Sequence, residues 1–256
     1  MKSQITSFGI NIDSYSMSDS VAKCIEMAKA RNSVVPYVVT PNVDHIVNLQ
    51  NNERLKEAYY DASLVLVDGK PVKAALRLLG ESIPEVVPGS DLIPAIFHAA
   101  HKIQPISVYL LGAAEGVADK AKLNIERKWN GVNIVGCYSP PIGFENDEQE
   151  NYKIIRMIND IQPDILVIGL GSPKQEIWIW RNQHHIKAGI ALCVGATIDF
   201  LAGEVKRAPI IMRKLSLEWL YRIYTDPRRL LKRYLYDAMI FPGIVWKEWK
   251  KSTQND

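Results

Sequence analysis

Short runs of β-branched and aliphatic residues recur along the first two hundred positions of the chain, each closing on small or polar residues and each followed by a helix-length stretch. The runs occupy residues 34–39, 64–67, 107–111, 132–135, 165–168 and 191–194. Several are apolar without interruption, as expected of parallel strands covered by helices on both faces rather than of strands with one wet face. The stretches between them, residues 18–31, 43–61, 90–101, 115–129, 148–161 and 175–185, repeat apolar residues at helical spacing. Asp147 reads as the N-cap of one of these helices, with Glu150 completing a capping box. The β-α-β-α alternation predicts an α/β fold with a Rossmann-like, mostly parallel sheet flanked by helices. At about 100–200 residues per domain, 256 residues accommodate residues 1–200 as that catalytic-size unit and residues 201–256 as a helical C-terminal appendage.

Other classes fall away on composition. With 47% hydrophobic and 23% charged residues, and no low-complexity stretch, the chain is neither disordered nor fibrous. Cys24, Cys137 and Cys193 are odd in number and lack CxxC spacing, which argues against a disulfide framework or structural zinc and for a reducing, cytoplasmic setting. His184 and His185 are adjacent, and His98 and His101 have no carboxylate motif beside them, so no metal site is expected. No run approaches the roughly 18 apolar residues of a membrane-spanning helix. The first sixteen residues lack the basic-then-apolar pattern of a signal peptide.

The formal net charge of +3 conceals an asymmetry. From Glu204 onward twelve Lys/Arg face six Asp/Glu, so the tail carries +6 and the remainder −3. The tail also holds Trp219, Trp246 and Trp249, three of the six tryptophans. Cations interleaved with aromatics suit a phospholipid headgroup layer; nucleic acid, through phosphate contacts and stacking, is a competing partner; a solvated helical lobe is the plain alternative. Arg213, Arg222, Arg228, Arg229 and Lys232, with Trp246 and Trp249, are the residues a membrane would meet. Pro227 and Pro242-Gly243 are expected to divide the tail into short helices.

In doubly wound sheets ligands bind beyond the carboxyl ends of the strands. The residues there are Thr40-Pro41-Asn42, Asp68-Gly69-Lys70, Gly112-Ala113-Ala114, Gly136, Gly169-Leu170-Gly171-Ser172 and Gly195-Ala196-Thr197. No GxGxxG or GxxxxGK[ST] spacing occurs, which disfavours a dinucleotide cofactor and P-loop chemistry. Asp68 follows four apolar residues and precedes a glycine, so it sits at a strand tip. A carboxylate partly desolvated there gains basicity and can take a proton from an attacking hydroxyl, although an Asx-turn carboxylate holding its own loop has the same sequence signature. Thr40 and Asn42 offer neutral hydrogen bonds at the neighbouring strand end. Gly89-Ser90-Asp91 opens a helix, where Ser90 or Asp91 would serve as a cap. Lys174 and Gln175, after Gly171-Ser172-Pro173, lie at a helix N-terminus and would complement a diphosphate.

Together these segments resemble the WecG/TagA/CpsF glycosyltransferases, family 26 of the sugar-transfer enzymes. The resemblance runs through Thr40-Pro41-Asn42-Val43-Asp44, Val67-Asp68-Gly69, Gly89-Ser90-Asp91, Tyr109-Leu110-Leu111-Gly112 and Asn133-Ile134-Val135-Gly136. It continues through Gly169–Glu176, Gly195-Ala196-Thr197-Ile198-Asp199, Val205-Lys206-Arg207-Ala208-Pro209 and Leu217–Arg222, in the family's order. The resemblance implies a cytosolic transferase moving a sugar from a UDP-sugar onto a polyprenyl-diphosphate-linked saccharide, with Asp68 as general base. No cofactor or metal is implied. Thr40, Asn42, Gly69, Gly89, Ser90, Asp91, Gly112, Gly136, Gly171, Lys174, Gln175, Gly195, Asp199, Arg207 and Arg222 become the substrate-binding candidates. The C-terminal appendage would meet the anionic inner face of the membrane, which tips the expected partner from nucleic acid to membrane, since nucleic-acid binding would leave the strand-end polar cluster unexplained; a homo-oligomer is compatible with all of this. Two departures stand out: Val86 where the family often has arginine, and Val43-Asp44 where teichoic-acid members tend towards Pro-Glu. Both point to a hexosyltransferase of exopolysaccharide or surface-polysaccharide assembly rather than an N-acetylmannosaminyl enzyme. A sugar-nucleotide-binding regulator without turnover is the rival reading; it would keep the glycine loops but not need Asp68.

Overall fold

The computed structural model of the chain describes residues 4–103, 105–206, 208–209, 212 and 218–254, the side chains of residues 101–103, 229 and 254 excepted. An antiparallel hairpin, β1 (Gln4–Ser7) and β2 (Ile10–Asp13), precedes α1 (Met17–Ala30). Then follow β3 (Tyr37–Val39), α2 (Val43–Leu49), α3 (Glu53–Tyr60), β4 (Leu64–Val65), α4 (Lys70–Leu78) and α5 (Gly89–Ile103). The second half runs β5 (Ile106–Gly112), α6 (Val117–Lys128), β6 (Val132–Tyr138), α7 (Glu148–Ile161), β7 (Ile165–Gly169), α8 (Lys174–Asn182), β8 (Ile190–Cys193) and α9 (Thr197–Ala202). Two helices close the chain, α10 (Glu218–Thr225) and α11 (Pro227–Gln254).

Among the described residues, six strands form one parallel sheet in the order β4-β3-β8-β7-β5-β6. The expected α/β class and flanked parallel sheet are both present. Helices cover both faces, which is why the strands read as continuous apolar runs. Alternate residues serve alternate faces: Tyr109 and Leu111 pack with α2, α3, α7 and α8, while Val108 and Leu110 pack with α1, α5 and α6. Each fully buried aliphatic of this kind contributes roughly 1.5–3 kcal/mol.

The local chemistry explains where elements start and stop. The stretch 43–61 is two helices: the first ends at its C-cap Gln50, and Asn52 caps the second, its side-chain oxygen accepting from Leu55 N at 3.1 Å. Asp147 caps α7 as expected, accepting from the amides of Gln149 and Glu150. The capping box is a correction: the Glu150 carboxylate turns away to the Tyr138 hydroxyl and Lys153. Pro227 opens α11, yet Pro242 does not break it, and the helix runs 28 residues through that proline. Packing over the core side holds the rod together: Phe241, Ile244 and Val245 lie against the core, and Phe241 meets Phe8 at 6.1 Å between ring centres. No helix among the described residues is long and apolar enough to cross a membrane.

Candidate active site

Because the sheet is parallel, every strand delivers its carboxyl end to one rim, and α2, α4, α5, α8 and α9 all begin there. Helix N-termini carry partial positive charge, so the rim favours an anionic ligand. Three segments are zipped together at one end of it. Leu66 N donates to Val39 O at 3.0 Å, Asp68 N to Pro41 O at 2.8 Å, and Val87 N to Val67 O at 2.7 Å. Backbone bonds therefore fix the half-buried Asp68 beside the Thr40–Asn42 segment and beside the start of α5 with Gly89, Ser90 and Asp91. Thr40 is buried and donates its hydroxyl to Cys193 O at 3.4 Å. The Asn42 side chain caps α2, accepting from His45 N at 3.2 Å. Both are anchored before any ligand arrives.

The glycines divide into two kinds. A Cβ on Gly112 would stand 2.4 Å from Gly169 O, one on Gly169 2.9 Å from Gly195 O, and one on Gly89 2.8 Å from a Val194 methyl. Those positions are small because neighbouring backbone or packing leaves no room. Gly171 and Gly195 have open space at the Cβ position and positive φ, while Gly69, also at positive φ, meets only the Pro71 ring at 3.7 Å. Gly136 requires a correction: it lies inside β6, not after it, and makes room for the Tyr109 ring, 2.4 Å from where its Cβ would be.

The loop after β7 leads into α8, and its side chains turn out to be structural. Gln175 is buried, with its oxygen accepting from Gly195 N at 3.1 Å and its amide donating to Glu176 Oε1 at 2.7 Å. It ties the β7 and β8 loops together rather than facing a ligand. Glu176 is 0% exposed, with Oε2 unpartnered and Oε1 3.8 Å from His45 Nδ1. That nitrogen lies 2.7 Å from the Tyr59 hydroxyl. Burial, then Glu176, Cys193, Asp68 and Asp44, push the Tyr59 hydroxyl well above its ordinary value, so the phenol stays protonated beneath the rim. Sequence reasoning missed this network, since a histidine, a tyrosine and a glutamate on three helices have no shared spacing. Lys174 pairs with Glu145 at 3.1 Å and sits over the Phe144 ring. A groove of about 800 Å³ runs between α7 and α8 past Lys174, Asn151, Trp178 and Arg181. It lies on a helical face, away from Asp68.

On the C-terminal side, Arg222 of α10 stacks on Phe200, one residue after Asp199 on α9, with its guanidinium carbon 5.6 Å from the ring centre. The tail thus reaches the β8 end of the rim. Arg207 and Arg213, two of the sequence candidates, lie outside the described residues, as does the Arg229 side chain. On α11, Arg228 and Lys232 are exposed, and Leu231, Leu235, Met239, Trp246 and Trp249 make an exposed stripe at spacings of one or two turns. Lys250 sits 3.8 Å over the Trp246 ring. Trp219 is also half-exposed, leaning on Tyr234. Between α11 and α2 lies a group that sequence reasoning passed over. Arg233 Nη1 stands 3.7 Å from Asp44 Oδ2, and Asp237, one turn on, is only 4% exposed.

The family model described as "Glycosyl transferase WecG/TagA/CpsF family" matches residues 5–255. Relatives include the N-acetylglucosaminyldiphosphoundecaprenol N-acetyl-beta-D-mannosaminyltransferases of Staphylococcus aureus strains NCTC 8325 / PS 47 and COL. Each is 27% identical over 222 residues, covering 87% of this chain and 85% of the relative.

Proposed function

The chain belongs to the WecG/TagA/CpsF family of glycosyl transferases, and we propose that it moves a hexose from a UDP-sugar onto a polyprenyl-diphosphate-linked saccharide, with inversion, in exopolysaccharide or surface-polysaccharide assembly. The observation that carries the reading is the backbone-fixed placement of Asp68 at a rim of helix N-termini. The acceptor hydroxyl oxygen attacks the anomeric carbon, its proton passes to the Asp68 carboxylate, and the bond to UDP breaks with its electron pair leaving on the diphosphate. One in-line displacement inverts the centre and needs one base. The developing charge on UDP is met by rim amides and by cations such as Arg222. No metal is required for this. Val86, which stands where the family often has arginine, is packed against the core and brings no cation to the rim. That supports a different sugar from the relatives'. A second reading, transfer of N-acetylmannosamine, is favoured by the relatives' names.

Attachment to the anionic inner membrane surface completes the proposal. The exposed stripe of α11 supplies apolar contact, Trp246 and Trp249 supply interfacial rings, and Arg228 and Lys232 supply charge. Each cation near an anionic bilayer contributes about 1 kcal/mol, so several together give reversible attachment. The enzyme would then work from the cytoplasm as a peripheral protein.

The decisive experiment incubates full-length protein with UDP-glucose, UDP-galactose or UDP-N-acetylmannosamine and a polyprenyl-diphosphate-linked N-acetylglucosamine acceptor, reading UDP release. A UDP-hexose should turn over; turnover with UDP-N-acetylmannosamine alone establishes the second reading. Asp68→Asn should cut the rate by about 10²–10⁴-fold while retaining donor binding. A rate within about threefold of wild type would assign Asp68 to its turn, and no transfer with any donor would favour the regulator.

A further inference from the structure

The helix that carries the exposed apolar stripe also makes an ionic contact with the first turn of α2, which begins at the rim. Arg233 leaves α11 on the side facing α2, with Nη1 3.7 Å from Asp44 Oδ2 and with a buried, unpartnered Nε. Asp237 follows on the same face, 4% exposed, with one carboxylate oxygen buried and unpartnered. One partly exposed guanidinium thus stands beside two carboxylates, with its Nε and one Asp237 oxygen buried. On α2, His45 is turned to Tyr59 and Glu176 instead. On α10, Arg222 lies against Phe200. The cation holding Asp44 is therefore supplied by α11.

Asp44 occupies the first turn of α2, two residues after the N-cap Asn42 and three after Pro41, whose carbonyl accepts the Asp68 amide. A shift of α2 at its first turn would be transmitted to Asn42, Pro41 and the Asp68 loop through backbone alone. Apolar packing through Leu230, Phe241, Ile244 and Val245 docks the helix along its length, and none of it is directional. The ion pair adds a polar tie at the first turn of α2: Arg233 is 37% exposed but Asp44 only 16% and Asp237 4%, so removing the cation leaves two neighbouring, largely covered carboxylates without it.

We propose that Arg233 is a positioning residue: through Asp44 it locks the C-terminal helix to the first turn of α2, so that the Asn42 and Asp68 segments take their working arrangement only when α11 is docked. The proposal rests on the transfer reading for its activity arm and on nothing but the fold for its structural arm.

The test uses the full chain. Hydrogen–deuterium exchange followed by peptide mass analysis is compared for wild type, Arg233→Met and Arg233→Lys, alongside kcat and donor KM. In Arg233→Met the amides of residues 43–49 should exchange about tenfold faster, with the sheet strands unchanged, as for a local opening of one element. The same variant should lose about tenfold in kcat, with donor KM within about twofold, the pattern of a displaced catalytic group rather than weakened binding. Arg233→Lys keeps the charge without the fork and should recover at least half of that loss. Should Arg233→Met not fold, Arg233→Lys still decides, through a smaller rise in exchange confined to 43–49. Unchanged exchange there, or faster exchange with undiminished kcat, overturns the proposal. Absence of transfer by the wild type would instead remove the transfer reading, and the exchange result would stand by itself.

Discussion

Asp237→Asn is the substitution whose effect the structure quantifies best. Asp237 lies in the interface between α11 and α2, and burial, followed by the neighbouring Asp44 charge and opposed by Arg233, pushes its carboxyl from 3.8 up to about 6. At about 1.4 kcal/mol per tenfold, that displacement corresponds to roughly 3 kcal/mol against the ionised form in the folded state. The sign follows from linkage. The folded chain holds this proton where the unfolded chain has released it, so the group's contribution is most favourable below about pH 4. It declines as pH rises to about 6, and above that the cost is constant. Asparagine keeps the shape and carries no charge, but it sacrifices part of the attraction to Arg233. Urea unfolding should therefore show Asp237→Asn more stable than wild type by about 2 kcal/mol at pH 8, and equal within about 0.5 kcal/mol at pH 4. A variant less stable than wild type at pH 8 would show that Arg233 outweighs burial and Asp44, and would refute the reasoning.

Two further outcomes are expected. Transfer in excess EDTA should stay within about twofold of the untreated rate, since cationic side chains and amides can meet a diphosphate; loss restored by magnesium or manganese would make Asp91 or Asp199 a candidate ligand. In co-sedimentation with anionic vesicles, full-length protein should pellet at low salt and be released at high salt, and Trp246→Ser/Trp249→Ser should reduce the bound fraction by at least about threefold. Protein that stays in the supernatant at low salt would make α11 an ordinary solvated helix.

The strands and most helices were legible because both faces of a parallel sheet are covered, so apolar runs mark strands and amphipathic stretches mark the layers. What escaped had weaker local signals. The β1–β2 hairpin is two four-residue strands with a turn at Phe8-Gly9, both at positive φ. Only the alternation of Ile5, Ile10 and Ile12 announces it. Helix α4 opens at Gly69 without a capping side chain, and a glycine and a proline within three residues, Gly69-Lys70-Pro71, read as loop. At the site, the sequence located Asp68 at a strand tip but could not distinguish a glycine that opens space from one that fills it. Gly195 and Gly112 both follow apolar runs in the sequence, yet the Cβ position of Gly195 is open and that of Gly112, the last residue of β5, runs into the Gly169 carbonyl. That difference depends on the neighbouring strand, which no spacing along the chain reveals. Likewise Gln175, at a helix N-terminus by sequence, points inward because its partner is the Gly195 amide, twenty residues on.

The long terminal helix shows why a tail read only as charge and aromatics was underestimated. Pro242 removes one backbone donor from α11, and a proline inside a helix costs about 3 kcal/mol. The rod continues because its inner face has much to gain. Leu230 is buried, Phe241 meets Phe8, Ile244 and Val245 pack on the core, and Glu248 accepts from the Phe8 amide at 3.3 Å. Those contacts span more than four turns, so breaking the helix at Pro242 would release one half of them. Continuity matters for the proposed chemistry. A polyprenyl-linked acceptor stays in the plane of the bilayer, while the anomeric carbon must be met in line, and a misplacement of about 1 Å can cost about 10²-fold in rate. On the proposed attachment, a single continuous helix with its outer face at the bilayer and its inner face on α2 would fix the height of Asp68 above that plane; two short helices with a hinge would not.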